Sequence, residues 1–338
     1  MSGAVISACG MSTAIGLSAP AACAAFRARL DNFRETRFMS PEGDWVLGAE
    51  VPLEEPLRGL RRLARFLADA LGECFATVDT PPDRIPVLIC LAEQDRTGRI
   101  SDLESQLTRS LVAILGHELH AASGMYAFGQ VGGAVALRDA RRLLGEGAEH
   151  VIVAGADSFL SARTLNDLFE SGRVLSPTNS NGFLPGEAGA AVLISPNGPG
   201  LALSGLGFAH EPAHISSGQP LRGDGMVAAM RQALDEAELD YEAISYRIAD
   251  LDGEQYYFRE ATLAQIRLWR GGGNPEEVWM PCDGMGQTGA AVIPICLGLG
   301  LTAWQKDYAP GPDVLIHAAH DDGRRAAIVL RGEVSHGQ

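Results

Sequence analysis

Three strand-length runs of apolar residues require that this chain fold around a sheet covered on both faces. The runs occupy residues 85–91, 151–156 and 189–194, and none of them contains a charged side chain. A strand with one face in solvent alternates apolar and polar residues, whereas a strand buried on both faces does not. Helices are therefore expected on both sides of this sheet.

Helical periodicity appears between these runs. In residues 60–77, Leu60, Leu63, Leu67 and Leu71 recur at intervals of three or four, which predicts an amphipathic helix. The alternation of helices and strands predicts parallel sheets wrapped by helices. Further helices are predicted at residues 21–30, 134–144, 223–237, 259–269 and 289–304, and further strands at 4–8, 201–208, 245–250, 313–317 and 326–330.

The order of these elements is similar in two halves of the chain. The turn-rich stretch SPNGPG, residues 195–200, separates them, and 338 residues are enough for two domains. We predict an N-terminal half of residues 1–198 and a C-terminal half of residues 199–338. The content of 40 Gly and only 6% aromatic residues predicts that backbone elements pack closely against one another.

Charge and cysteine usage exclude several classes of function. The net charge of −15 disfavours non-specific binding to nucleic acids, which are polyanions. Six Cys residues show neither a CxxC pair nor regular spacing, so neither a zinc site nor a disulfide framework is indicated. We expect buried, reduced thiols, no metal and no cofactor.

Neither a secretion signal nor a membrane span is expected. The apolar first segment has no Lys or Arg before Arg27, so the charged region of a signal peptide is missing. The later apolar stretch, residues 285–301, is interrupted by Gln287, Pro294 and four Gly. We therefore expect a cytoplasmic protein that contacts no membrane.

Four segments, in the right order, resemble the β-ketoacyl synthases of the thiolase superfamily. Residues 4–16 (AVISACGMSTAIG) resemble the opening strand and turn of that family, and residues 61–71 (RRLARFLADAL) resemble its Arg-rich helix. Residues 150–158 (HVIVAGADS) resemble its strand ending in Ala-Gly-Gly. Residues 181–194 (NGFLPGEAGAAVLI) resemble its Asp-Gly-Phe…Gly-Glu-Gly hairpin and are the most specific match. The resemblance implies a five-layered αβαβα fold of two related halves, usually dimeric, but fold does not establish function.

The catalytic Cys of that family begins a helix, where the helix N-terminus lowers the thiol pKa and backbone N–H groups form an oxyanion hole. Counting back from residues 151–156 without a gap places Gln130 at this position, followed by Gly132 and Gly133 as in the family. An amide cannot form an acyl thioester. Because chain-length factors and decarboxylating loading synthases carry Gln here, we interpret Gln130 as filling the pocket rather than as drift.

The two catalytic His residues of the family are also missing. The motif Asn-Ala-His-Gly-Thr is matched by Asp252 and Gly253, and the motif Gly-His-x-x-Gly-Ala-Ala is matched by DGMGQTGAAV, which puts Met285 at the second His. A carboxylate and a thioether cannot replace two imidazoles that stabilise an enolate, which also disfavours a loading synthase. The glycine-rich gate of the family is replaced by the charged residues 318–327 (AAHDDGRRAA). The resemblance therefore implies a site without conventional catalysis.

Other residues offer alternative chemistry. Cys282 lies near the second His position and is a candidate for a displaced nucleophile, although buried Cys are usually inert. His117 and His120 are predicted on one helical turn and superficially resemble a metal pair, but a third ligand is not evident. Glu187 is expected to support a hairpin. A cluster of arginines offers either a docking surface for a phosphopantetheine carrier or a solvated helix face: Arg58, Arg61, Arg62 and Arg65.

These observations favour a non-catalytic partner or scaffold that dimerises through the segment ahead of Gln130. One variant is a chain-length-factor-like subunit paired with a Cys-containing synthase in a polyketide or aryl-polyene pathway. Another is an adaptor for a client protein, such as a bacterial secreted effector. The competing class is an active acyltransferase or 3-oxoacyl synthase that uses Cys282. A third is a sensor that binds a ligand in the remaining pocket. Either a homodimer or a heterodimer fits the sequence.

Overall fold

The computed structural model describes residues 3–271 and 277–332. Its strands are β1 (Val5–Thr13), β2 (Arg34–Met39), β3 (Trp45–Gly48), β4 (Val87–Cys90), β5 (Gly124–Tyr126), β6 (Val151–Ser158), β7 (Glu187–Ser195), β8 (Leu201–His210), β9 (Tyr246–Ala249), β10 (Glu277–Trp279), β11 (Asp313–Ala319) and β12 (Arg324–Gly332). Its helices are α1 (Ala19–Arg27), α2 (Gly59–Phe75), α3 (Leu103–Leu115), α4 (Gly132–Gly145), α5 (Ala162–Glu170), α6 (Asp224–Glu236), α7 (Gln255–Leu268), α8 (Cys282–Met285) and α9 (Val292–Gln305). The predicted helices at residues 60–77 and 134–144 correspond to α2 and α4.

Within the described residues, ten strands form one sheet in the order β10-β9-β11-β12-β8-β1-β7-β6-β4-β5, and β2 pairs separately with β3. Strands β4 and β9 have parallel neighbours only, whereas β7 and β12 are antiparallel to both of their neighbours. The sheet is therefore mixed, and the predicted parallel pairing holds only for the outer strands of each half. Strands β11 and β12 are joined by a tight turn, and only an antiparallel pair permits such a short connection.

The sheet consists of two halves with the same arrangement. From the seam outward, β1-β7-β6-β4-β5 and β8-β12-β11-β9-β10 both pair as antiparallel, antiparallel, parallel and parallel. At the seam, Val5 and Ile6 of β1 pair with Ala202 and Leu201 of β8. Residues 195–200 lie at the change from one half to the other, while the division after residue 198 stays a prediction.

Three hydrophobic cores lie between five layers of helices and strands, and the central core includes the middle helical layer itself. The central core contains residues of α4 and α9 together with strands of both halves. A second core lies between α2, α3 and the outer face of the first half, and a third lies between α6, α7 and the outer face of the second half. This is the five-layered αβαβα arrangement, so the predicted fold class is confirmed.

The central layer depends on close approach of backbones, as the glycine content predicts. A Cβ atom added at Gly133 of α4 would lie 2.6 Å from the Cβ of Ile293 in α9. A Cβ atom added at Gly10 of β1 would lie 2.0 Å from the carbonyl oxygen of Ala70 in α2. Glycine at these positions therefore sets the spacing between neighbouring layers.

The apolar stretch at residues 285–301 is part of this packing. Most of it forms α9, whose residues Val292 to Leu301 are all buried in the central core. Across residues 3–271 and 277–332, no helix combines the length and the apolar character that crossing a membrane requires.

The predicted helical turn that contains His117 and His120 is wrong. Helix α3 ends at Leu115, because Gly116 adopts the left-handed conformation (φ 78°) that commonly ends helices. His117 and His120 therefore lie in the loop that follows. The described part of the chain contains no group of three or more His, Cys, Asp or Glu residues that could hold a metal ion.

The close approach of α4 to α9 can be tested with two glycines that both lie in helices. We expect Gly133→Ala to lower the free energy of unfolding by about 1–3 kcal/mol, because the methyl group would overlap Ile293. Gly72 of α2 is exposed, and no described atom lies within 4 Å of its Cβ position. Gly72→Ala is therefore expected to raise the free energy of unfolding by about 0.5–1 kcal/mol. Urea unfolding followed by circular dichroism measures both, and equal effects would contradict the contact between the layers.

Candidate functional site

Gln130 lies in the turn Gly129–Val131 that leads directly into α4. Gly129 adopts a left-handed conformation with φ 55°. The Gln130 side chain is buried, and its Oε1 atom has no hydrogen-bond partner among the described residues. A buried acceptor without a donor is uncommon in native structures. The structure therefore places a buried amide at the helix start where the resemblance expects a Cys.

His320, in the loop between β11 and β12, lies against this turn. A Cβ atom added at Gly129 would be 2.6 Å from the His320 ring. His320 Nε2 is 3.4 Å from Glu93 Oε2, and His320 Nδ1 is 2.9 Å from Asp322 Oδ1. The Asp322 backbone N–H also donates a hydrogen bond of 3.3 Å to His320 Nδ1. Burial would lower the pKa of His320, but the hydrogen bond and charge of Glu93 and the charge of Asp322 raise it overall.

Glu93 is fixed in turn by Arg96. Arg96 donates two hydrogen bonds to Glu93 and one to Asp157 Oδ1, each at 2.7 Å. Burial would raise the pKa of Glu93, but the hydrogen bond from His320 and the charge of Arg96 hold it well below its usual value. Asp157 also accepts a hydrogen bond of 2.9 Å from the backbone N–H of Ala290. The network therefore connects the loop, the end of β6 and the segment ahead of α9.

The next loop residue, Asp321, is held by a second set of partners. It accepts hydrogen bonds from the Arg173 guanidinium and from the Tyr257 hydroxyl group. Arg173 also donates to both carboxylate oxygens of Glu254, with Nε 2.9 Å from Oε1. Because Arg173 follows α5 and Glu254 precedes α7, Asp321 is tied to both halves of the molecule.

Arg325, at the start of β12, provides the third attachment. Its Nε atom lies 2.8 and 2.9 Å from the two carboxylate oxygens of Glu260 in α7, and both side chains are almost completely buried. Arg325 also donates a hydrogen bond of 2.8 Å to the carbonyl oxygen of His320. Removing one partner of a buried ion pair typically lowers the free energy of unfolding by about 3–5 kcal/mol. Residues 318–327, the segment that the sequence resemblance aligns with the family's gate, are therefore fastened at three places.

The position predicted for the first His holds buried carboxyl groups. Asp252 Oδ2 accepts a hydrogen bond of 2.8 Å from Gln287 Nε2. Burial and the neighbouring charge of Glu254 raise the pKa of Asp252 to about 7. Asp250, directly after β9, accepts a hydrogen bond of 2.9 Å from the Ala319 backbone N–H, and burial raises its pKa well above the usual value. Asp250 was not predicted, although its place immediately after a buried strand was a usable signal.

The position predicted for the second His requires a correction of one residue. In Gly-His-x-x-Gly-Ala-Ala the His stands three residues before Gly-Ala-Ala, which is residues 289–291 here. That spacing selects Gly286, while Met285 corresponds to the preceding Gly and is fully buried. Gly286 has φ 65°, and its Cβ position lies 2.6 Å from the carbonyl oxygen of Leu184. Neither residue supplies an imidazole, so the expected loss of the second His is unchanged.

Cys282 is poorly suited to act as a nucleophile. It is buried at the start of the short helix α8. Burial raises the pKa of its thiol well above the usual value, and the nearby carboxyl groups of Asp252 and Asp250 raise it further. Because the thiolate is the reactive form, Cys282 is held in its unreactive state.

The arginine cluster divides into two sets. Arg62 turns inward and donates from Nε to Glu187 Oε1 at 2.8 Å, and Glu187 is buried. This pair fixes α2 against the start of β7, which is the supporting role expected for Glu187. Arg58, Arg61 and Arg65 are exposed. The surface that remains available for docking therefore consists of these three residues.

The five cavities described among residues 3–271 and 277–332 lie away from the turn at Gln130. Gln130, Asp252, Gly286 and Cys282 line none of them.

The whole fold resembles solved structures of known type. A ketosynthase in complex with its chain length factor from Xenorhabdus doucetiae matches with a TM-score of 0.77 and 19% identity over 98% of each chain. This chain has the thiolase-like fold of the ketosynthases. A type II polyketide synthase acyl-carrier protein in complex with its ketosynthase matches at 0.79 with 14% identity over 98% of this chain and 99% of the other. A β-ketoacyl synthase from Burkholderia phymatum matches at 0.75 with 16% identity over 98% and 100%. No protein-family model and no curated protein matches the sequence.

Within this ketosynthase fold, the candidate site combines residues that the sequence identified with residues that it did not. Gln130 and residues 318–327 are brought together as the resemblance implies. Glu93 and Arg173, which hold the loop, were not predicted. Their partners are far away in the sequence, so only the folded chain shows the pairing.

The contact between His320 and Glu93 predicts a pH-dependent contribution to stability. The pKa of His320 is raised in the folded state, so the contribution is complete below its unfolded value of about 6.5 and is lost as the pH rises through the folded pKa. We expect His320→Gln to lower the free energy of unfolding by about 1–2 kcal/mol more at pH 6 than at pH 9. Urea unfolding at both values measures this difference. His214, a loop residue whose ring contacts Ser216, provides the control, and an equal pH dependence in His214→Gln would contradict the ion pair.

Proposed function

We propose that this protein is a non-catalytic ketosynthase-like subunit that acts as a partner or scaffold for another protein. The observation that carries the proposal is Gln130, which lies in the turn ahead of α4 beneath a loop fastened through His320, Asp321 and Arg325. A primary amide cannot take up an acyl group from a thioester. The fastened loop above Gln130 supports the same conclusion.

The alternative is an active acyltransferase or 3-oxoacyl synthase with a relocated nucleophile. Cys282 is the candidate for that role, but the pKa of its thiol is raised by burial. A catalytic Cys needs a thiolate and a base within hydrogen-bond reach. The Asp252 and Asp250 carboxyl groups near Cys282 disfavour the thiolate, which favours the non-catalytic role.

A second synthase-like subunit is the partner that we propose, in a role like that of a chain length factor. The complex from Xenorhabdus doucetiae pairs a ketosynthase with its chain length factor, which supports this choice. In this chain, β5 occupies one end of the ten-stranded sheet and precedes Gln130. An edge strand presents N–H and C=O groups that can pair with another chain. We therefore assign the subunit contact to β5. A homodimer and a client protein such as a secreted effector are the other outcomes of the test.

An acyl carrier protein is a further proposed partner. One of the matched structures is an acyl-carrier protein in complex with its ketosynthase. In this chain, Arg58, Arg61 and Arg65 form an exposed basic surface at the start of α2 and suit an acidic carrier. The proposal requires neither a cofactor nor a metal, and it places the protein in the cytoplasm, away from nucleic acids and membranes.

The partner role is tested by purifying the complex from the native host. We expect an equimolar complex with a Cys-containing synthase-like subunit in native mass spectrometry. Met125→Lys should abolish the complex, because a charged residue in the middle of β5 blocks strand pairing. Val278→Lys is the matched control, since Val278 is the half-buried middle residue of β10 at the opposite end of the sheet. Isolation of a homodimer, or of a complex with an effector alone, would contradict the proposal. Equal loss of the complex in Met125→Lys and Val278→Lys would also contradict it.

A further inference from the structure

The first half contains a cavity whose interior the proposed function does not use, although Arg58 at its edge is also part of the proposed carrier surface. Its volume is about 290 Å³, and it lies among the starts of α2, α3 and α5 and strand β2. Gln130 does not line it. Five arginines do, which is unusual in a chain with a net charge of −15: Arg37, Arg58, Arg62, Arg96 and Arg99.

Four of these arginines are already neutralised. The carboxylate partners are Glu50 at 3.2 Å from Arg37, Glu187 at 2.8 Å from Arg62, Glu93 and Asp157 at 2.7 Å from Arg96, and Glu104 at 2.6 Å from Arg99. Arg58 has no ion-pair or hydrogen-bond partner within residues 3–271 and 277–332. Among the described residues, Arg58 is therefore the lining arginine that has no carboxylate partner, which suits a ligand that carries a single negative charge.

The start of α2 adds to the attraction for an anion. Arg58 immediately precedes this helix and makes no side-chain hydrogen bond to its first turn in the described structure. Gly59 has φ 53°, and no described atom lies within 4 Å of its Cβ position, so the helix start opens into free space. The first N–H groups of a helix lack partners within the helix and favour negative charge.

The remaining wall of the cavity is apolar. Phe38, Phe66 and Leu160 contribute to it, and Phe66 and Leu160 are buried in the protein. Burial against such side chains stabilises an apolar part of a ligand in proportion to the area removed from water. The cavity is near the lower end of the volumes that are usual for small-molecule sites, which limits the ligand to a small one.

We propose that this cavity binds a short-chain carboxylic acid as its anion. The carboxylate lies between the Arg58 guanidinium and the start of α2, since a guanidinium pairs with a carboxylate through two hydrogen bonds. The hydrocarbon chain lies against Phe38, Phe66 and Leu160. This site is independent of the role proposed for Gln130, so either assignment stands or fails without the other.

Isothermal titration calorimetry with hexanoate tests the proposal on the full chain. We expect wild-type protein to bind hexanoate, and Arg58→Gln to weaken binding at least about tenfold through loss of a charge-assisted hydrogen-bonded pair. Arg61→Gln is the matched control, because Arg61 is exposed on the same helix and does not line the cavity. The affinity of Arg61→Gln for hexanoate should stay within about twofold of that of wild type, as is usual for a distant surface charge. Ala162→Trp, at the exposed first residue of α5 that borders the cavity, should abolish binding by filling the space.

Two further probes define the ligand class. 1-Hexanol should bind more weakly than hexanoate. Inorganic phosphate should bind more weakly than hexanoate or should not bind at all. Absence of hexanoate binding at several millimolar, or equal losses in Arg58→Gln and Arg61→Gln, would overturn the site. Equal binding of 1-hexanol would overturn the role of the charge, and tighter binding of phosphate would overturn the assignment to a carboxylate.

Discussion

The site depends on one buried cation, Arg96, that must be neutralised from two sides. A buried charge is tolerated only when it is paired, and Arg96 meets this requirement through Glu93 and Asp157. Glu93 then holds His320 of the loop, while Asp157 accepts a hydrogen bond from the backbone ahead of α9. The His320 contact of the loop, the end of β6 and the entry to α9 are thus linked through a single guanidinium group.

The two halves contain matching turns ahead of their central helices. The turn Gly129–Val131 precedes α4, the turn Gly289–Ala291 precedes α9, and the two leading glycines have φ 55° and 53°. A carboxylate lies against each glycine: Glu93 within 2.8 Å of the Cβ position of Gly129, and Asp157 within 2.1 Å of that of Gly289. Both halves therefore present the geometry of a helix-start site, and in the first half the side chain at that turn is the amide of Gln130 under a fastened loop.

Much of the fold could be predicted because its signals are local. The apolar runs predicted β4, β6 and β7, and the leucine spacing predicted α2 with nearly the observed bounds. Helix α3 was missed although Leu103, Leu107 and Leu111 recur every four residues and are buried, so its periodicity was a usable signal. Strand direction was predicted correctly only for the outer strands of each half, because apolar runs report burial and not orientation. At the site, the attachments of Asp321 and Arg325 join residues 148 and 65 positions apart, and no local pattern reveals such pairs.

Under the proposed non-catalytic role, no side chain in this ketosynthase fold accepts an acyl group. Intact-mass spectrometry of the protein after incubation with acyl and malonyl thioesters measures whether any does. We expect an unchanged mass for wild type and also for Gln130→Cys, because the loop held through His320, Asp321 and Arg325 covers the helix start. A stoichiometric mass increase in wild type that disappears in Cys282→Ala but persists in Cys296→Ala, a substitution of another buried thiol, would contradict it.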